Sequence, residues 1–197
     1  ITALAPAGGG DMLAGIFPSG EIHQVSPSGR DRLLTTLPGQ YIWALKPQKD
    51  GFIAAAGSPA GVYSFSAKGE IKNLARPAER HILCLDTDED GNIYAGSSPD
   101  GLVYRIDAKT QKLSVVADFN EEEIYRILYI GGGRMLVAAN RDQAPVQAQA
   151  QGGPGGRQMP QENPTLPISF PVSYDAPPNA PPPLPSSIYL LKTSGEV

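Results

Sequence analysis

Alternating carboxylates make Asp86-Thr87-Asp88-Glu89-Asp90-Gly91-Asn92 the sharpest chemical motif of the sequence. Acidic side chains at every second place, with a glycine sixth to permit a sharp turn, can wrap a hard cation, and Ca²⁺ takes six to eight oxygens. Asp86, Asp88 and Asp90 would be its ligands. Two further places argue for the simpler reading. The twelfth residue, where a calcium loop carries a bidentate Glu, is Ser97, and the ninth, where another Asp would help, is Tyr94. Asp-x-Asp-Gly is also what a tight turn between two strands selects, so a plain turn is favoured over a calcium site. No other cofactor is expected.

Nucleophilic and general-base chemistry finds less. The two histidines, His23 and His81, have no Ser, Cys or carboxylate beside them in a recognisable nucleophile arrangement, so no catalytic residue is assigned and an enzyme is not the favoured reading. Cys84 is the single cysteine, which excludes an intrachain disulfide and any site built from paired thiolates. It falls in an apolar segment where Ala3 and Ala44 hold the matching places, so a small, buried, inert thiol is expected.

The elements that position these residues come from an internal repeat. Pro18, Pro59 and Pro99 are 41 and 40 residues apart, each between a second strand (Met12-Leu13-Ala14-Gly15, Phe52-Ile53-Ala54-Ala55, Ile93-Tyr94-Ala95-Gly96) and a third (Glu21–Val25, Val62–Phe65, Leu102–Ile106). A polar turn and a fourth strand follow each. A leading strand precedes each Asp-Gly turn, at Ile42-Trp43-Ala44-Leu45, Ile82-Leu83-Cys84-Leu85 and Ile124-Tyr125-Arg126-Ile127, and the same offset lands on Ile1-Thr2-Ala3-Leu4. The segments alternate over four to six residues and are rich in Val, Ile, Tyr and Phe, with no 3.6-residue period. Four short strands in about 40 residues are the signature of a β-propeller blade, so the chain reads as all-β. Trp43 and Tyr125 take matching places and are expected to pack between blades, and His23 sits where other units carry Tyr, as a packing or edge residue.

With Asp90-Gly91-Asn92-Ile93-Tyr94-Ala95-Gly96 and Gly101-Leu102-Val103-Tyr104-Arg105-Ile106-Asp107, the pattern over 1–140 and 186–197 resembles the NHL, gluconolactonase-like and YVTN group of bacterial propellers. Gluconolactonase-like relatives hold a divalent metal with a Glu, Asn and Asp set at the channel. The resemblance therefore implies, as an alternative function, a metal-dependent hydrolase or lyase. Glu123 and Asn140 are its candidates on that side, and the set is incomplete.

The fourth unit departs from the repeat. Residues 141–185 separate its second strand from its third, at 186–197, and hold 12 of the 20 prolines with a Gln/Ala tract and Gly152-Gly153-Pro154-Gly155-Gly156. Proline donates no backbone hydrogen bond, so irregular or polyproline-like structure is expected there. Leu166, Ile168, Phe170, Val172 and Tyr174 are apolar enough to dock on a partner. With leading strands down the central channel, this insert shares one face with the residues that open each leading strand, Tyr41, His81 and Glu123. Those three at the channel mouth form the binding-site expectation. Four blades are visible, the last incomplete, and a larger ring of six to eight blades is expected.

Net charge is −4 over 197 residues, with no basic cluster, which disfavours nucleic-acid binding. No run approaches the roughly 20 apolar residues of a membrane-spanning helix. The sequence thus reads as a non-enzymatic interaction scaffold, periplasmic or extracellular, binding a protein partner or further subunits. A structural subunit of a multiprotein envelope assembly is the other alternative.

Overall fold

The computed structural model describes residues 1–141 and 186–195. They form fifteen strands and no helix. Blade 1 comprises β1 (Ala3–Gly8), β2 (Asp11–Ile16), β3 (Glu21–Val25) and β4 (Asp31–Thr36). Blade 2 comprises β5 (Tyr41–Gln48), β6 (Gly51–Gly57), β7 (Gly61–Phe65) and β8 (Ile71–Ala75). Blade 3 comprises β9 (His81–Thr87), β10 (Ile93–Ser98), β11 (Leu102–Ile106) and β12 (Leu113–Asp118). Blade 4 has β13 (Glu123–Gly131), β14 (Arg134–Asn140) and β15 (Ser186–Lys192). Within each blade, neighbours in sequence pair antiparallel. Blades 2 and 3 also meet through one pair, Gly57 with His81.

The core lies between blades, not within them. Three apolar clusters mark three joints, and each is fed by alternate residues of the two facing sheets, as the period-2 pattern requires. Leu13, Ile22 and Leu34 meet Ile42, Ala54 and Tyr63; Ile53 and Val62 meet Ile82, Ile93 and Tyr104; Cys84, Tyr94 and Val103 meet Ile124, Met135, Val137 and Leu191. The glycine opening the third strand in blades 1 to 3 is required by its surroundings. Gly101 has φ +62°, and a Cβ there would lie 1.8 Å from the Glu121 carbonyl oxygen of the segment leading into blade 4.

Inner strands β1, β5, β9 and β13 line a central cleft of about 700 Å³. Each of the last three has its register broken at its third residue, Trp43, Leu83 or Tyr125, opposite β6, β10 or β14. A bulge re-aims the extra side chain, and here all three side chains line the cleft. This corrects the expectation for Tyr125, which is 64% exposed and does not fill a joint. Trp43 lines the cleft too and, from there, reaches His81 of the next blade. Among the described residues, no helix is long and apolar enough to cross a membrane.

Candidate functional site

Register fixes the faces of the disc. Tyr41 pairs with Gly57, His81 with Ser98 and Glu123 with Asn140, so each leading strand opens beside the connection between the second and third strands. In blade 4 that connection runs from Asn140 to Ser186, which also pair with each other. The insert therefore leaves from the face that carries Tyr41, His81 and Glu123. Its candidate docking residues, Leu166, Ile168, Phe170, Val172 and Tyr174, lie outside the described residues.

Two of the three mouth residues belong to one aromatic cluster. Tyr41 stacks on Phe17 from the connection in blade 1, with ring centroids 4.4 Å apart, and on Trp43 at 4.9 Å and 2°. His81 stands edge-on to both Tyr41 and Trp43, at 5.4 and 5.5 Å. The Trp43 indole donates to His81 Nδ1 at 3.1 Å. An indole N–H only donates, so Nδ1 is bare and the neutral ring carries its proton on Nε2. Burial, followed by the positive charge of Arg80, holds the His81 pKa below the ordinary value. Phe17 was not expected here. Its signal lay in the repeat, where Ser58 and Ser98 hold the matching place before proline. Glu123 lines the cleft shared with Trp43, at the root of the insert.

A second feature of this face ties third strands to the segments entering their blades. The Tyr104 hydroxyl donates to Glu79 Oε1 at 3.2 Å, and the Tyr189 hydroxyl donates to Glu121 Oε1 at 2.9 Å. Burial, with the neighbouring Glu79 charge, pushes the Tyr104 phenol up to about 12. Ser187 adds a hydroxyl donor to Glu121 Oε1 at 2.9 Å. Glu79 Oε2 accepts the Asp100 N–H at 3.3 Å, whereas Glu121 Oε2 is buried without a partner. The residue at the offset of Asp100 in blade 4 is Pro185, which has no N–H to give.

The carboxylates of the Asp86–Asp90 run are dispersed onto separate tasks. Asp86 is buried in the channel wall, where it pairs with the Lys46 ammonium of blade 2 through Oδ1 and accepts the Tyr129 N–H of blade 4 on Oδ2 at 2.6 Å. One side chain thus spans three blades. Asp88 braces its turn. Its Oδ1 accepts the N–H groups of Asp90 and Asn92 at 3.0 and 2.9 Å, and its Oδ2 accepts the Asn92 amide at 2.8 Å and the Tyr94 hydroxyl at 3.1 Å. Asp90 is exposed. Among the described residues, no group of three or more His, Cys, Asp or Glu converges as metal ligands.

His23 lies on β3 with Nδ1 2.7 Å from Asp31 Oδ1 and Nε2 3.4 Å from Glu21 Oε2. The Asp31 hydrogen bond is the main cause of its raised pKa. The Cys84 thiol donates to the Ile124 carbonyl at 3.3 Å, and burial pushes its pKa up to about 12.

No family model matches the chain, and no curated protein matches it. Among solved structures, the nidogen/laminin complex aligns with TM-score 0.60 and 9% identity over 71% of this chain and 56% of the other. Virginiamycin B lyase from Staphylococcus aureus aligns with TM-score 0.57 and 12% identity over 68% and 47%. The extracellular domain of a hybrid two-component system from B. thetaiotaomicron aligns with TM-score 0.56 and 13% identity over 68% and 19%. The chain thus spans between about a fifth and just over half the length of these structures. At such identities the likeness is one of fold, and the fold is that of a β-propeller.

Proposed function

We propose that this chain is a non-enzymatic interaction scaffold that binds a protein partner through its channel-mouth face, with the proline-rich insert beside that site. The observation that carries the reading is the Phe17–Tyr41–Trp43 stack, closed by His81, at the mouth of the cleft. Phe17 leaves 45% of its surface exposed on that face. Rigid aromatic rings present large contact area at little entropic cost, and Trp and Tyr are enriched where partners bind. The catalytic alternative receives less support. Glu123 and Asn140, the two members of the lactonase-like set, face each other across β13 and β14, and among the described residues no three His, Cys, Asp or Glu side chains converge as metal ligands. An extracellular or periplasmic location goes with this reading, since one structural relative is an extracellular domain.

A photo-crosslinking residue at position 17, introduced into the protein in its native host, tests the proposal. Polypeptide adducts should form from position 17 and not from Lys109, which lies in the polar turn between β11 and β12. Equal labelling from both positions, or no polypeptide adduct from position 17, would reject it.

A further inference from the structure

The contact between Trp43 and His81 holds only while the imidazole is neutral. The indole N–H meets His81 Nδ1 at 3.1 Å, and an indole nitrogen cannot accept a hydrogen bond in return. Both nitrogens lie directly over Gly57, where a Cβ would fall 2.0 Å from His81 Nδ1 and 2.5 Å from Trp43 Nε1. The missing side chain makes the room in which the two rings meet, and the β6 backbone closes that side. A proton on Nδ1 would set two N–H donors against each other in this space.

The surroundings do not compensate a charged ring. His81 stands edge-on to Tyr41 and Trp43 of β5, lies against Gly57 of β6 and pairs with Ser98 of β10, and none of these carries a carboxylate. Phe17, which completes the cluster from blade 1, is apolar. The charge that acts on His81 is the Arg80 guanidinium, which opposes protonation. Glu79, two residues earlier, is engaged by the Tyr104 hydroxyl and the Asp100 N–H, and Glu123 stands on β13 of blade 4. His23 shows the contrast, since Asp31 Oδ1 lies 2.7 Å from its Nδ1 and favours the protonated form.

We propose that His81 is a pH switch on the partner site at the channel mouth, a role that rests on that site, so that a protein bound there at neutral pH is released in mild acid. Two facing donors separate by moving one ring away from the other, and each ring is tied to the recognition stack. Trp43 lies flat against Tyr41 at 4.9 Å, and Tyr41 against Phe17 at 4.4 Å, while His81 closes the stack at its edge. Displacing either ring therefore takes apart the surface the partner meets. A partner that binds the neutral arrangement alone loses affinity in proportion to the neutral fraction, about tenfold at one pH unit below the midpoint.

The polypeptide crosslinked from position 17 at pH 7.5 is the probe. Its calorimetric affinity for the native protein should fall about tenfold between pH 7.5 and one unit below the midpoint of the Trp43 fluorescence transition. His81→Gln puts a group that takes up no proton in place of the imidazole, and Trp43→Phe removes the opposing N–H while keeping an aromatic ring. Within each variant, the affinities at the two pH values should be about equal. A native-protein affinity that holds through the fluorescence transition, or a Trp43 fluorescence without one, overturns the switch and leaves the partner site standing. So does a fall that His81→Gln retains; if that variant fails to bind at pH 7.5, Trp43→Phe decides in the same way. No polypeptide adduct from position 17 at pH 7.5 rejects the partner site itself, and the switch with it.

Discussion

Adding one methyl group at Gly96 should cost about 1–3 kcal/mol of stability, the usual penalty for overpacking a filled core. A Cβ at Gly96 would lie 2.5 Å from Ile124 Cγ2 and 2.7 Å from Cys84 Sγ. Both are far inside contact distance, so the leading strand of blade 4 has to move. Ile124→Ala alone should cost about 2–5 kcal/mol by opening a cavity at a fully buried site. In the double variant, the new methyl enters the space that Cγ2 vacated, and the combined cost should fall short of the sum by about 1 kcal/mol or more. Urea unfolding followed by circular dichroism gives all three values. A Gly96→Ala protein as stable as the parent, or strictly additive costs, would refute the account of the joints as small-residue seats for buried isoleucines.

The mouth cluster predicts a pH response. His81 has a folded pKa below its unfolded value, so the unfolded chain binds the extra proton, and this site's contribution to stability is intact above about pH 6.5 and lost as pH falls below it. Trp43 is the sole tryptophan, so its fluorescence should change with a midpoint below 6.5 and lose that transition in His81→Gln. His23 has the opposite sign, being raised by Asp31. Its contribution is complete below about 6.5 and disappears as pH rises through the folded pKa, which NMR titration should place above 6.5. Tyr189→Phe removes a donor from the buried Glu121 carboxylate and should cost about 1–3 kcal/mol in urea unfolding. Cys84 should resist iodoacetamide at pH 8 in the native protein and react once unfolded, since its thiol is buried and pushed up to about 12. If Asp88 serves its turn alone, 1 mM calcium should leave the melting temperature where EDTA leaves it; a rise of several degrees would revive the calcium reading of Asp86, Asp88 and Asp90.

Much of the fold was legible because the blade repeats. Prolines 41 and 40 residues apart, with apolar alternation on both sides, placed the strands of each unit, and the place of Tyr41, His81 and Glu123 on one face followed from register. What escaped was side-chain direction at irregular backbone. Tyr125 sits in a strand whose alternation would point it into a joint, yet the bulge there turns the side chain to the channel, and the matching bulge at Trp43 lets that ring line the channel while still packing on His81 of the next blade. The Tyr104–Glu79 and Tyr189–Glu121 contacts also went unread, although each glutamate lies two residues before its leading strand, because the glutamates lie in loops where strand alternation sets no side-chain direction. Phe17 was missed although the repeat matches it to Ser58 and Ser98, because it too lies in a connection between strands. The Asp86–Asp90 run shows the opposite case, in which a ligand-like spacing is spent on a channel ion pair and a turn brace.

The central claim, that the aromatic mouth binds a protein, is tested most directly by calorimetric affinity of the partner captured at position 17 for the parent chain and for Phe17→Ala, Tyr41→Ala and Lys109→Ala. The account predicts at least a tenfold loss, about 1.4 kcal/mol, for each of the first two and no change for the third. Equal affinity across all four proteins would contradict it.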